Sequence, residues 1–110
     1  MESKEFGHSM VMKFADKVEY SSEGIVSKRV LQKEKGNVSL FAFDKGQQLS
    51  EHSAPFDALV QVLEGEGEIK INGRSFTLLS GESIIMPANI PHAVFATEKF
   101  KMLLTMIKSE

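Results

Sequence analysis

The sequence predicts an all-β domain, an antiparallel sandwich or barrel. Short β-rich runs separated by glycine extend from about residue 14 to residue 108. No segment keeps a 3.6-residue apolar stripe for three turns, so no long amphipathic helix is expected. Asn72-Gly73, set between alternating apolar and polar residues, is the signature of a two-residue hairpin turn. Many short strands joined by tight turns, without long helices, indicate this class.

The elements follow in order. The runs KFADKVEY, GIVSKRVLQKE and NVSLFAFDK read as strands, with a short helix near residues 12–18 as the alternative for the first. The Asn72-Gly73 turn sets Ile71 opposite Arg74, Ile69 opposite Phe76 and Gly67 opposite Leu78. Ile69, Ile71, Phe76 and Leu78 then share one face, and Glu68, Lys70, Ser75 and Thr77 the other. GEGE, Gly65 to Glu68, reads as a turn with solvated charges; its glutamates would repel phosphate, and no lysine-serine pair follows. Ser80-Gly81 reverses the chain into SIIM, ANIPH is a loop, AVFA resumes as a strand, and FKMLLTMIK closes the barrel. Phe100, Met102, Leu104 and Met106 face one way in that last strand, Leu103 and Ile107 the other. A strand apolar on both sides is covered on both, by the barrel interior and, in this reading, by a second chain. The methionines, including Met102 and Met106, read as core filler rather than a soft-metal box, and Phe41 and Phe43 as core.

A length of 110 residues fits one domain, read as an N-terminal arm over 1–13 and a barrel over 14–110. So short a chain buries a modest core, and association would help it. Thirteen basic against fifteen acidic residues argue against general nucleic-acid binding. The sequence has no apolar run of membrane-spanning length and no secretion signal in MESKEFGHSMVMKF, so the expected partners include neither nucleic acid nor membrane, and the expected location is cytoplasmic. Zero cysteines exclude disulfides and thiolate chemistry. Any metal site would have to draw on His, Asp, Glu or Gln.

Two spaced motifs carry a family resemblance. Gly46, His52, Ala54, Ala58 and Gly65 fall at the positions of the first cupin motif, glycine, histidine, histidine, glutamate and glycine. Gly81, Pro87, Asn89, His92 and Ala96 fall at those of the second, glycine, proline, glycine, histidine and asparagine. The chain resembles small single-domain cupins. That resemblance implies a double-stranded β-helix, or jelly-roll barrel, a homodimer, and a metal held by three histidines and a glutamate. Only His52 and His92 carry over; alanine has no donor atom, so Ala54 and Ala58 coordinate nothing. Asn89 in place of glycine tolerates the left-handed region better than most residues.

Two imidazoles are an incomplete metal site. Asp57 is the nearest further candidate, but regular alternation puts it and Gln61 opposite to His52, Ala54, Phe56, Ala58, Val60 and Val62. A bulge at Pro55 would reverse that parity. Glu51 and Gln61 are weaker candidates, and His8 reads as a solvated terminal residue. The plain alternative for His52 and His92 is a hydrogen bond to a backbone carbonyl. The leading expectation is a small-molecule-binding barrel, its ligand beside His52 and His92 in a cavity lined by Ala54, Phe56, Ala58, Val60 and Val62. A divalent metal of unassigned identity is the one cofactor expected, and no organic cofactor is indicated. A metal-dependent dioxygenase or isomerase with an unrecognised third ligand, and an assembly barrel with a vestigial cavity, are the alternatives.

Overall fold

One long strand organises the fold. A computed structural model describes residues 5–109, with strands β1 (Ile25–Lys33), β2 (Gly36–Phe43), β3 (Gln48–His52), β4 (Phe56–Ile71), β5 (Arg74–Leu79), β6 (Ser83–Met86), β7 (His92–Phe95) and β8 (Phe100–Lys108). All pairings are antiparallel, in the order β1-β2-β8-β4-β7-β3, with β5 and β6 also pairing with β4. The first half of β4 lies between β8 and β6, and its second half between β5 and β7. β4 thus belongs to both sheets of a jelly roll, which the sequence predicted as all-β.

The transfer between sheets occurs where the sequence suggested a turn. GEGE is not a turn; it lies inside β4, beside a register shift between Val62 and Glu64. Gly65 has φ +83°, and a Cβ there would come within 2.1 Å of the Lys99 carbonyl oxygen. A Cβ on Gly67 would come within 2.6 Å of the Phe100 ring. The glycines are there because Lys99 and Phe100, where β8 begins to pair with β4, leave no room for side chains, beside a bulge of the kind that bends a strand. Phe100 fills that space and stacks on Phe43, with centroids 4.7 Å apart and rings 6° from parallel.

The hairpin has the expected register, Ile71 with Arg74, Ile69 with Phe76 and Gly67 with Leu78. Asn72 (φ +50°) and Gly73 (φ +83°) both take the left-handed conformation that this turn needs. Ile69 and Leu78 are buried in the main core with Phe43, Val60, Val62 and Met102.

KFADKVEY is not a strand. It holds one 3-10 turn, Phe14–Asp16, and no α-helix. Val18 beyond it is fully buried against Leu40 and Ala42 in a second core, joined by Phe6, Phe14 and Leu103. Lys101 fastens this segment: its buried Nζ donates to the Ala15 carbonyl oxygen at 2.6 Å and lies 3.9 Å from Glu64 Oε2. The Tyr20 hydroxyl donates to the same Glu64 oxygen at 2.7 Å, and burial, then the glutamate, raise its pKa. Tertiary polar anchors override the local alternation that suggested a strand. Leu103 on the outer face of β8 packs under the chain's own N-terminal segment, while Ile107 on the same face stays exposed. Among the described residues no helix is long and apolar enough to cross a membrane.

Glycine substitutions will rank by what a new methyl group meets. Gly73→Ala, with open space around it, should cost about 1 kcal/mol for the positive φ alone. Gly67→Ala should cost about 1–3 kcal/mol as the Phe100 ring is displaced. Gly65→Ala should cost most, because the obstructing atoms are backbone. Urea titration of the three variants checks the order.

Candidate functional site

The site begins with a strand pairing. β7 lies between β3 and β4, and His92 is directly opposite His52 on one side and Ile71 on the other. Directly opposed residues project from the same face of a sheet. The two imidazoles accordingly meet edge to face, with centroids 4.5 Å apart and planes at 67°. His92 is buried and His52 is exposed at the mouth.

Each ring is oriented by the backbone two residues before it. His52 Nδ1 is 3.1 Å from the Ser50 carbonyl oxygen, and His92 Nδ1 is 3.3 Å from the Ile90 carbonyl oxygen. A carbonyl only accepts, so each Nδ1 carries the proton and donates. In the neutral rings both Nε2 atoms then carry the free lone pair. The backbone-bonding alternative and the cavity placement of these histidines describe one arrangement. Burial, followed by the nearby His52, holds the His92 pKa below its ordinary 6.5, with the hydrogen bond to Ile90 opposing them.

The histidines close one end of a cavity of about 220 Å³. Phe41, Leu49, Val94 and Leu104 form much of its apolar wall. Ala58 lines it too, flanked in the opposite sheet by Met86 of β6 and Met106 of β8 as direct pairing partners. Met102 completes this wall. Of the lining expected from alternation, only Ala58 belongs to it. Val60 and Val62 are on the same side of β4 but lie in the core away from the cavity wall. Phe56 begins β4 opposite Lys108, and Ala54 lies in the connection before it, so neither reaches the wall. The methionines were the missed residues; the alternation of Met102, Leu104 and Met106 in the last strand was the signal available. Broader grooves on the outer surface, one of about 450 Å³ beside Phe6, Met10 and Leu31, hold no such pair of rings.

The loops bearing the histidines are tied together. Asn89, at φ +65°, donates its N–H to the Ala54 carbonyl oxygen at 2.8 Å. The N–H of Ala88 donates to Asp57 Oδ1 at 2.9 Å, and that of Asn72 to the Pro91 carbonyl oxygen at 2.8 Å. Asp57 is thus a loop-fastening carboxylate. Among the described residues no third His, Asp or Glu joins the histidine pair, and Glu51, Gln61 and His8 are absent from the cavity wall. The four-donor hard-metal site implied by the resemblance does not fit this chain: methyl groups stand at Ala54 and Ala58, and the wall between the sheets carries no carboxylate.

Residues 39–108 match the family described as the cupin domain. The chain belongs to the cupin family. Among solved structures, this cupin is similar to SPY1581, a protein of unknown function from Streptococcus pyogenes, with 36% identity and a TM-score of 0.91 over 97% of this chain and 94% of that one. It is also similar to a cupin 2 conserved barrel domain protein from Leptotrichia buccalis, with 48% identity and a TM-score of 0.83 over 86% of this chain. The match spans 46% of that longer protein. An RmlC-like cupin from Desulfovibrio desulfuricans shares 28% identity, with a TM-score of 0.74 over 97% of this chain and 96% of its own. No curated protein matches the sequence.

The lowered His92 pKa fixes a direction for pH dependence. On unfolding, the ring returns to its ordinary value near 6.5, so the unfolded chain takes up the proton first as pH falls. The contribution of His92 to stability is full above about pH 6.5 and is lost as pH falls through the lower folded-state value. Urea midpoints should decline over that interval, and less steeply in His92→Gln. In His52→Ala, the NMR titration midpoint of His92 should rise.

Proposed function

We propose that this cupin is a small-molecule-binding barrel whose ligand sits between the two sheets, against His52 and His92. The observation that carries the reading is the pair of convergent imidazoles at one end of an otherwise apolar cavity of about 220 Å³. Binding sites are commonly apolar hollows with a few polar groups fixing orientation. Here both Nδ1 protons are directed to backbone carbonyls, so the Nε2 atoms offer acceptors to a guest. A neutral ligand that donates a hydrogen bond is favoured, such as a phenol, over an anion that only accepts. An anion would also lose its hydration on entering an apolar chamber without gaining a cation.

At pH 7.5, a panel of phenols should raise the melting temperature more than the matching benzoates. Isothermal titration of His92→Ala should show at least about tenfold weaker phenol binding, the loss of roughly one well-placed hydrogen bond. No stabilisation by any member of either panel would favour an assembly barrel with an unused cavity.

A homodimer is part of the same proposal. β1 ends the strand order, its outer side without a strand beside it among the described residues. Leu31, Met10 and Val11 are exposed near it, Val11 completely. An open edge with apolar neighbours is best protected by pairing with a second copy. Sedimentation equilibrium should show a dimer for the native chain and a monomer for the Val11→Asp Leu31→Glu variant.

A further inference from the structure

The sheet of β3, β7, β4 and β5 has an outer face as well as the inner one. Leu49, Val94, Ile69 and Phe76 are opposed across those strands and pack inward. Their neighbours along each strand therefore point outward, in two rows. Gln48, Phe95, Glu68 and Thr77 form one row, each directly opposite the next; Ala93, Lys70 and Ser75 form the other. An open hollow of about 320 Å³ lies over these rows, lined by Gln48, Glu68, Lys70, Ala93, Val94 and Phe95. Two features distinguish it from a merely solvated surface. Phe95 is the one large apolar side chain in the two rows, and it is 36% exposed. The polar groups around its ring are uncommitted. Among the described residues, the side chains of Gln48, Glu68 and Lys70 make no hydrogen bond or ion pair, and Glu68 and Lys70, two residues apart on one strand, do not pair with each other. Ala93, directly opposite Lys70, leaves the floor of the hollow open.

We propose that this outer hollow binds one pyranose unit of a neutral saccharide. A sugar ring has an apolar C–H face and a rim of hydroxyls, and the hollow offers a partner for each. The Phe95 ring supplies apolar surface for the C–H face. Around it, Glu68 only accepts hydrogen bonds, Lys70 only donates, and the Gln48 amide does both. Adjacent hydroxyls, which give and take together, match all three. Neighbouring strands are about 4.8 Å apart, so Gln48 on β3 and Glu68 on β4 are rooted about 10 Å from each other and flank a ring laid over β7. Charge selects against an ionic guest. Glu68 and Lys70 cancel, leaving no net attraction for either sign. Exposed ion pairs contribute little in water, and a charged group would surrender more hydration than a hydroxyl on settling against the ring. The inference is independent of the chamber reading, because Phe95 and Val94 point to opposite faces of β7.

The test titrates the isotope-labelled full chain with methyl glucoside, methyl galactoside and methyl mannoside, followed by amide NMR shifts. At least one glycoside should move the amides of Gln48, Glu68, Lys70, Ala93 and Phe95. Phe95→Thr keeps a strand-forming residue and should bind that glycoside at least about fivefold more weakly. In the native protein, saturating the aromatic protons should transfer magnetisation to the C–H protons of the bound sugar, a readout that needs no variant to fold. Glucosamine and glucuronate should bind no more than about threefold more tightly than the neutral glycoside. The proposal is overturned if no glycoside moves these amides, if the shifts centre on His52 and His92 instead, if Phe95→Thr binds as tightly, if no magnetisation reaches the sugar, or if a charged sugar exceeds that margin. Phenol titration probes the chamber on the other face of β7, so the two readings fail separately.

Discussion

The close approach of the start of β8 to β4 at Gly65 and Gly67 is the contact on which the barrel depends. There the backbone of Lys99 and the ring of Phe100 occupy space that side chains on β4 would fill. The bulge beside it lets one continuous strand leave the sheet containing β8 and β6 and enter the one containing β5 and β7. Without this bend the two sheets would not face each other, and no enclosed space would exist between them. Phe100, pressed onto Phe43, turns that close approach into the centre of the hydrophobic core.

The chamber follows from how the two halves of β4 distribute their partners. Its first half carries Ala58 between Met86 and Met106, and all three side chains line the chamber. Its second half supports β7, which in turn supports β3, and this brings His92 and His52 together. Hydrogen bonds among Ala54, Asp57, Ala88 and Asn89 hold the connections on the histidine side. The site is a mainly hydrocarbon chamber with two imidazoles in its wall, unlike a ring of carboxylate and imidazole ligands.

The outer face of the barrel is completed by polar fastening. Lys101 would be costly to bury alone, but the Ala15 carbonyl and the carboxylate of Glu64 accommodate its charge, and Tyr20 shares the same glutamate. These contacts draw the N-terminal segment over Leu103 and place Val18 against Leu40 and Ala42. Part of a surface that alternation alone assigns to a partner is thereby closed within one chain.

Local chemistry in the sequence determined the all-β class and most of the strands from Ile25 onward, the Asn72-Gly73 hairpin with its register, and the motif frame that singled out His52 and His92. These are legible because a two-residue period, a turn requiring positive φ and a fixed spacing each act over a few residues. Only the tertiary structure decided that GEGE lies within a strand, since the need for glycine there comes from Phe100, distant in sequence. It alone decided that Asp57 fastens a loop, that Val60 and Val62 go to the core while Ala58 opens the chamber, and that three methionines line it. Those outcomes depend on which strands become neighbours, and the side-chain period along one strand carries no information about what stands across from it.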